Sequence, residues 1–433
     1  MTFMSRLPPT APEGLVRDDA VHRDAFVDPA VYALEMERIF RRTWVYVGHA
    51  SEVRHPGDFR LTQIAGQSMI LSRREDGGLH LGVNACRHRG LRLLEDEHGS
   101  ARHIVCPYHG WVYGCDGRLV DVPQVAGQGG HFDADEFGLV QPPRLEQYRG
   151  FVFASWNAGV EPLAAHLGNA RPFIDLFSEL SPSGEVQADL GATRYEYRGN
   201  WKQQAENSMD GYHVGIVHAS FVDTLMRHRL GQSMAGLVGP DSPARSVALG
   251  GGHALLDYRM FDRKKIMGAR QLASDEVRDW HEQLQARLGP ERAEAVIACN
   301  GGDGFNLLVF PNLMLINNQI RTVLPLAHDR TRVTAQPVSL VGVHPLINAQ
   351  RLRAHEDFYG PAAFGAADDI EMFERQWQGL LEAPDMSWLN YGRGLEREAP
   401  FAEGELAGHV SDETGQRGIW RRWNELMAVK GEH

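Results

Sequence analysis

The sequence predicts an α+β protein in which a small antiparallel β domain is set inside a larger mixed domain. Short β-type runs broken by glycine fill residues 44–156, and helical and strand-like segments alternate afterwards without the regular rhythm of a parallel sheet. We therefore predict three regions: an N-terminal helical segment over 1–43 that packs on the larger domain, the β domain over 44–156, and the larger domain over 157–433.

The N-terminal segment contains a predicted helix over residues 28–42, with the sequence DPAVYALEMERIFRR. Asp28 is a typical N-cap, Pro29 occupies the first helical position, and Val31 and Ile39 fall near one face. This pattern indicates an amphipathic helix.

The β domain has two turn signals. Residues 75–78 separate the β-type runs MILSR and LHLGVN, and residues 115–117 separate WVYG from RLV. Because short loops that contain Asp and Gly favour tight turns, we predict that the flanking runs pair as antiparallel hairpins.

The larger domain has a clear helix signal and a clear strand signal. SDEVRDWHEQLQARLG should form a helix capped by Ser274 and ended by Gly289. Residues 312–326, NLMLINNQIRTVLPL, are predicted to form one long strand. Its alternation would separate two sets of side chains on opposite faces: Met314, Ile316, Ile320 and Thr322 on one, and Asn317, Gln319 and Arg321 on the other.

Composition excludes several classes of protein. The chain has 433 residues, 43% of them hydrophobic, and a formal net charge of -12, which argues against a nucleic-acid partner. No apolar run approaches the roughly 18 residues that span a bilayer, and no signal peptide is evident, so we expect a cytoplasmic protein without membrane contact. Four cysteines do not make a disulfide framework in such a chain, and paired thiols would more often bind metal.

Two cysteine–histidine pairs fall inside the β domain, each beside a predicted turn. Cys86 is followed by His88, and Cys106 is followed by His109. Three interpretations fit these residues: chance spacing with core histidines, a structural zinc site, or a [2Fe–2S] centre in which two thiolates hold one iron and two imidazoles the other. Each loop offers one sulfur and one nitrogen, so the two loops can hold such a cluster from either side.

A second candidate metal site lies downstream. Two histidines, His213 and His218, combined with a distant carboxylate would form the facial triad of non-heme Fe(II) oxygenases. Residues five apart on an ideal helix diverge by roughly 140°. We therefore predict that the helix ends or loosens into a π-type turn between these two histidines.

The third ligand must come from elsewhere, and YGPAAFGAADDIEMFERQWQGL offers Asp368 and Asp369. If a helix starts here, Asp369 shares a face with Phe373 and Gln376, whereas Asp368 is better placed as an N-terminal cap. The helical geometry favours Asp369 as the ligand.

The motif CRHRG followed by CPYHGW resembles the signature of the Rieske non-heme iron oxygenases. The iron-helix segment ENSMDGYH, the AADD segment and FPNLML extend this resemblance to the large (alpha) subunit of the aromatic-ring-hydroxylating dioxygenases. It implies a Rieske domain inserted in a helix-grip-like catalytic domain with a central antiparallel sheet. In that family the second acid of the AADD pair is the iron ligand, which again indicates Asp369.

Two details resemble the benzoate and anthranilate branch of that family. ENSMDGYH has one residue fewer between its asparagine and aspartate than the naphthalene-type enzymes have, and NQIR follows in the later strand. Since an aromatic carboxylate would need a donor in an apolar pocket, we expect Met209, Asn318 and Arg321 to bind substrate. The alternative is that Asn318 is a core amide satisfied by the backbone and that Arg321 is solvated.

The implied activity is that of a terminal oxygenase component, which uses O₂ and delivered electrons to cis-dihydroxylate an aromatic ring. The chain has no nucleotide-binding motif, so electrons from NADH should arrive through a separate ferredoxin or flavin reductase. Monooxygenation or O- or N-demethylation at the same metal centres is the alternative activity. A non-catalytic Rieske electron carrier and a structural zinc protein are alternatives of another class.

Asp210 lies three residues before His213 and within one turn of it. We predict that its carboxylate accepts the imidazole N–H of His213, and that the neighbouring Asn207 also acts in catalysis. In the family the residue that matches Asp210 bridges to the second Rieske histidine of a neighbouring subunit, here His109. The resemblance therefore implies a head-to-tail trimer of alpha subunits, joined by small beta subunits as α3β3.

Overall fold

The computed structural model describes residues 12–128, 131–188, 190–227, 239–260, 274–299, 304–316, 318–360 and 363–428. The chain divides into two compact units, one formed by Phe40–Leu163 and the other by the residues on both sides of it. None of the helices in these ranges is long and apolar enough to cross a membrane.

The helices are α1 Asp24–Val27, α2 Pro29–Glu35, α3 Leu163–Leu167, α4 Arg171–Glu179, α5 Trp201–Asn207, α6 Val214–Val217, α7 Ala219–Arg227, α8 Asp275–Leu288, α9 Pro290–Ile297, α10 Pro345–Tyr359, α11 Phe364–Glu382 and α12 Thr414–Ala428. The strands are β1 Ala20–His22, β2 Val45–His49, β3 Asp58–Ile64, β4 Gln67–Arg73, β5 Leu79–Val83, β6 His98–Ser100, β7 His103–Val105, β8 Val112–Gly114, β9 Leu119–Asp121, β10 Arg144–Tyr148, β11 Phe151–Ser155, β12 Val186–Gln187, β13 Thr193–Tyr197, β14 Arg245–Gly250, β15 His253–Asp257, β16 Phe305–Val309, β17 Leu313–Ile316, β18 Gln319–Ala327, β19 Arg330–Pro337, β20 Ser339–Leu340, β21 Trp388–Asn390, β22 Ala399–Pro400 and β23 Leu406–His409.

The unit Phe40–Leu163 is built from small antiparallel sheets. Their strand orders are β10-β11-β2, β5-β4-β3-β6 and β7-β8-β9. The hairpins β4–β5 and β8–β9 form where the sequence predicts turns, and every pair in these sheets is antiparallel. The core of this unit includes Cys86, Cys106, Trp111 and Tyr113, so the two thiols lie among apolar side chains.

The other unit is organised around one antiparallel sheet. Within the described ranges this sheet has nine strands in the order β13-β19-β18-β17-β16-β15-β14-β23-β22. Helices α5 and α12 pack against it, α5 on β18 and α12 on β14 and β15. The predicted α+β class with a central antiparallel sheet is therefore confirmed.

The segment 312–326 does not form the single long strand that we predict from its alternation. The chain reverses between Ile316 and Gln319, which face each other as the last pair of the hairpin β17–β18. Asn317, for which we predict the face of Gln319 and Arg321, lies outside the described residues. The reversal places Arg321 on the same face of the sheet as Met314, because the two residues lie directly opposite each other on paired strands.

The N-terminal helix begins as predicted, with the Asp28 side chain accepting a hydrogen bond from the Ala30 N–H at 2.7 Å. It ends in a π-helical turn, Met36–Phe40. The segment is tied to α5 through the N-cap residue Asn200, whose side-chain amide donates to the carbonyl oxygen of Phe26 at 2.9 Å.

A buried carboxylate holds three elements together. Glu35 is 0% exposed and accepts hydrogen bonds from the Lys202 ammonium at 2.5 Å, the Trp201 indole at 2.9 Å and the Trp423 indole at 2.6 Å. These donors belong to α5 and α12, so the charge of Glu35 is fully satisfied by side chains from two other helices. Helix α5 is thereby fixed at its N-terminal end, where Trp201 and Lys202 lie.

Replacing Glu35 with Ala should remove the carboxylate that pairs with the buried Lys202 ammonium and accepts hydrogen bonds from two indole N–H groups. We expect a loss of roughly 3–5 kcal/mol in the stability of this unit, the usual cost of breaking a buried ion pair. A lower midpoint of urea unfolding would measure this loss. Glu37→Ala, at an exposed position two residues on, is the matched control and should change stability by less than about 0.5 kcal/mol. An unchanged midpoint for Glu35→Ala would show that the pair is not needed.

Candidate metal centres

Two loops of the same design carry the cysteine–histidine pairs. In the first, the Gly90 N–H donates to the Cys86 carbonyl at 2.8 Å, and in the second the Gly110 N–H donates to the Cys106 carbonyl at 2.9 Å. Both glycines have positive φ values, 74° and 72°, which residues with a β-carbon rarely adopt. The sequence of each loop thus closes a tight turn around its own cysteine.

The two histidines of these loops face each other. Their Nδ1 atoms are 3.1 Å apart and their ring centroids are 4.5 Å apart. The indole of Trp111 stacks on the His88 ring at 5.0 Å with an interplanar angle of 10°, which holds that ring in place. Two imidazole nitrogens directed at one point suit a shared cationic centre, with one ligand from each loop.

The two thiols are buried, and burial is the main reason why the pKa of Cys86 is raised. A thiolate in this position therefore needs a cation close by. The Tyr113 hydroxyl lies 3.3 Å from the Cys86 sulfur and accepts a hydrogen bond from the Arg87 N–H at 2.9 Å. Two sulfurs inside and two imidazoles at the edge fit a [2Fe–2S] cluster with mixed ligands. Tyr113 was missed from the sequence, where only its position four residues after His109 suggests a role.

The second site begins where α5 ends. The chain leaves the helix after Asn207. Gly211 then passes close to the loop that precedes α12, and a β-carbon at this position would lie 2.5 Å from the Val410 carbonyl oxygen. Helix α6 then spans only Val214–Val217, with His213 at its N-cap and His218 at its C-cap. The predicted end of the helix between the two histidines is confirmed, and the rings can therefore turn to one side.

His213, His218 and Asp369 converge, with one ligand atom from each lying within 4.8 Å of the others. The Asp369 Oδ1 atom is 3.6 Å from the His213 Nε2 and 3.3 Å from the His218 Nε2. Burial alone would lower the pKa of His213, but the Asp210 and Asp369 carboxylates raise it overall, so this pocket favours positive charge. Two imidazoles and a carboxylate fit an Fe(II) centre that keeps open positions.

Asn207 lies against this triad. Its side-chain amide is 3.1 Å from the Asp369 Oδ1 and 3.3 Å from the His213 Nε2, so it touches two of the three candidate ligands. Met209 is fully buried and packs toward Gly415 of α12. The structure thus brings Asn207 to the metal site, whereas substrate binding by Met209 stays a prediction.

Asp210 lies behind the first imidazole. Its Oδ2 is 3.4 Å from the Nδ1 of His213, and its Oδ1 accepts the backbone N–H of Tyr212 at 2.6 Å. This is the side of the ring that faces away from Asp369. The placement suits the predicted role of Asp210 in orienting His213.

Asp368 does not have the position that we predict for it. Helix α11 begins at Phe364 with Ala363 as its N-cap, so Asp368 lies beyond the first turn and cannot cap the helix. Its Oδ2 instead lies 3.6 Å from the Nδ1 of His218. The prediction was wrong because the helix extends further toward the N-terminus than the pair of acids suggests.

The two predicted substrate contacts on β18 and its turn have different surroundings. The Asn318 amide donates to the Arg351 carbonyl oxygen at 2.5 Å, so it is satisfied by the backbone. Arg321 is 3% exposed, and its guanidinium lies 4.8 Å from the centre of the Tyr359 ring. The alternative of a solvated arginine is therefore wrong, whereas the alternative of a core amide describes Asn318.

Comparison with known proteins identifies both parts of the chain. Residues 43–144 match the Rieske [2Fe-2S] domain, and residues 186–428 match the ring hydroxylating alpha subunit (catalytic domain). The chain is 34% identical to the anthranilate 1,2-dioxygenase large subunit of Acinetobacter baylyi, over 93% of this chain and 88% of that protein. It is 33% identical to the toluate 1,2-dioxygenase subunit alpha of Pseudomonas putida, over 85% and 80%.

The fold also matches a solved structure. Naphthalene 1,2-dioxygenase with indole bound in its active site superimposes with a TM-score of 0.81 at 24% identity, covering 96% of this chain and 94% of that one. The family matches and the fold select the Rieske cluster over a structural zinc at the cysteine–histidine loops. They also agree with a mononuclear iron at the triad.

Replacing His109 with Cys should place an anionic ligand where the cluster has a neutral one. We expect the cluster either to fail to assemble or to have a lower potential, shifted from the Rieske range of roughly -150 to +300 mV toward the value of about -400 mV of all-cysteine clusters. A redox titration followed by absorbance, with a count of iron atoms, measures both results, and mononuclear iron should still bind.

The control for this change is His103→Cys, at an exposed position on β7 in the same unit, which should leave the potential unchanged. A wild-type potential in His109→Cys would contradict the assignment of His109 to the cluster.

Proposed function

The chain belongs to the Rieske-type ring-hydroxylating dioxygenase alpha subunits, and we propose that it is a terminal oxygenase that cis-dihydroxylates an aromatic carboxylate. The single observation that carries the proposal is the convergence of His213, His218 and Asp369 in a chain that also has the Rieske loops. An electron carrier or a structural zinc protein would not need this triad. The overall reaction adds both atoms of O₂ across an aromatic double bond and consumes NADH and a proton.

When bound, the cluster supplies electrons one at a time and the mononuclear iron supplies open positions for O₂. Neighbouring residues of the chain restrain the side chains that would hold the iron. Asn207 restrains the inner oxygen of Asp369 through its amide, and Asp210 restrains His213 from behind. With both restraints the ligands stay on one side of the metal position, which leaves the other side for O₂ and the ring of the substrate.

The substrate class rests on the relatives and on one buried charge. The relatives at 34% and 33% identity are named for anthranilate and toluate, both aromatic carboxylates. In the described part of the chain, no carboxylate forms an ion pair with the buried guanidinium of Arg321, and its Nε has no hydrogen-bond partner. A buried charge without an ion-pair partner costs roughly several kcal/mol, so a ligand carboxylate would offset that cost through charge-assisted hydrogen bonds.

Arg321 lies on the side of the sheet that faces the metal site. It stands opposite Met314, whose sulfur is 3.4 Å from the hydroxyl of Ser208, the residue next to Asn207. The pKa of Tyr359 is raised to about 12, mainly by burial. The charge of Arg321 acts to lower this pKa and that of Asp369 acts to raise it, so both charges lie close enough to interact with the Tyr359 hydroxyl. A substrate whose carboxylate pairs with Arg321 would therefore have its ring directed toward the triad.

We further propose the partners and the setting of this component. Electrons come from NADH through a ferredoxin or flavin reductase, because the chain carries no nucleotide motif of its own. The alpha subunits form a head-to-tail trimer with small beta subunits, and the assembly works in the cytoplasm. In the trimer Asp210 connects His213 to His109 of the next subunit, which gives the cluster of one subunit a route to the iron of its neighbour.

Replacing Arg321 with Leu should remove the group that selects the carboxylate. We expect kcat/KM for benzoates to fall by roughly 30-fold or more, the cost of removing one partner of a buried charge pair, with little loss for neutral rings. Coupled NADH and O₂ consumption with a surrogate reductase, over a panel of aromatic acids and hydrocarbons, measures this change in preference.

Arg332→Leu is the matched control, since Arg332 lies on the adjacent strand β19 and forms an exposed pair with Glu196. It should leave both substrate classes unaffected. Tight binding of naphthalene or biphenyl by the wild-type protein, with no response to benzoates, would contradict the carboxylate proposal.

Replacing Asp210 with Ala should leave both metals bound and the cluster reducible, while electron transfer to the mononuclear iron falls by orders of magnitude. Single-turnover product formation from the pre-reduced protein measures this step. Asp279→Ala, an exposed acid on α8, serves as the control. Product formation at a near wild-type rate in Asp210→Ala, or full activity in a monomer, would exclude the bridging role.

A further inference from the structure

We propose that Asp368 is the positioning residue of His218, and that its carboxylate accepts the Nδ1–H of that ring. The two consecutive acids of α11 would then hold the same imidazole from opposite sides, Asp369 next to its Nε2 and Asp368 next to its Nδ1. This role goes beyond the proposed function, because it concerns the affinity and geometry of the metal site whatever the substrate is.

The geometry starts from the helix. Asp368 and Asp369 are neighbours on α11, so their side chains leave the helix about 100° apart. The Asp369 Oδ1 lies 3.3 Å from the His218 Nε2, and the Asp368 Oδ2 lies 3.6 Å from the His218 Nδ1. The ring of His218 therefore lies between the two carboxylates.

The two facing atoms of the outer pair are shielded from water. The Nδ1 of His218 and the Oδ2 of Asp368 are both buried, and neither has a hydrogen-bond partner among the described residues. The side chain of Asp368 as a whole is 35% exposed, so its other oxygen can still be solvated. A small movement of the ring toward Asp368 would bring these two atoms within hydrogen-bonding distance. The ring N–H and the carboxylate oxygen would then each have a partner.

His213 has the same arrangement on the other side of the site. Its Nδ1 lies 3.4 Å from Asp210 and its Nε2 lies 3.6 Å from Asp369. Each imidazole is thus placed between the shared inner carboxylate of Asp369 and an outer carboxylate of its own. Outer carboxylates of this kind fix the ring tautomer and make the imidazole a stronger ligand.

An aromatic wall leaves His218 few other orientations. The Phe358 ring meets the His218 ring edge-on at 5.2 Å, and Phe221 packs on Phe358 at 4.8 Å. These rings restrict the position of the imidazole but offer it no hydrogen bond. Asp368 is therefore the group that determines which ring nitrogen faces the metal.

The test uses the full-length protein with its cluster intact and its mononuclear iron removed by a chelator. Anaerobic Fe(II) titration gives the Kd of the site, and the EPR spectrum of its nitric oxide adduct reports the ligand geometry. For Asp368→Ala we expect roughly 10- to 100-fold weaker Fe(II) binding and an altered spectrum. Asp368→Asn should lose less, because its amide oxygen can still accept the N–H.

Glu371→Ala is the control on the same helix, where an exposed Glu371 pairs with Arg375. It should bind Fe(II) like the wild type, and the cluster absorbance should be the same in all variants. Wild-type Kd and spectrum in Asp368→Ala would overturn the proposal, as would equal losses in the Ala and Asn variants. No substrate enters these measurements, so their failure is distinct from a failure of the proposed function.

Discussion

The five-residue spacing of His213 and His218 constrains the whole iron-binding part of the structure. On a continuous helix the two rings would point in different directions, so α6 must stop at Val217 for them to share one centre. The chain that leads into α6 passes close to Val410 at Gly211, where a β-carbon would clash with the Val410 backbone. Helix α11 completes the site from a distant part of the chain, since Asp369 reaches the gap between the two rings.

Two buried charges in this unit differ in whether they form an ion pair inside the protein. Glu35 is fully paired inside the protein, and its donors fix α5 before the chain reaches the metal site. Arg321 is also buried but forms no ion pair within the described ranges. In the first arrangement the carboxylate accepts three hydrogen bonds, one of them from the Lys202 ammonium, and breaking such a buried pair would destabilise the fold. The second leaves a buried charge that lies over the Tyr359 ring and has no ion pair in the described residues, which is the basis of the proposed carboxylate binding.

Local sequence signals predicted the features that depend on neighbours in the chain. The Asp28 cap, the hairpin turns of the β domain and the paired cysteine–histidine loops are all set by residues within a few positions of each other. The prediction of one strand over 312–326 was wrong because it used local alternation alone. Two strands of a hairpin can show the same alternation of apolar and polar residues as a single strand. Only pairing shows where the register reverses.

The sequence by itself determined the types of ligand, the two metal sites to which they belong and the need for a helix break. These follow from the chemistry of thiols, imidazoles and carboxylates and from the period of a helix. Only the tertiary structure decided what surrounds the ligands: that Arg321 is buried against Tyr359, that Asp368 faces His218 and that Tyr113 faces Cys86. The physical reason is that such contacts join residues far apart in the chain, and their distances depend on how helices and sheet pack, which local propensity does not encode.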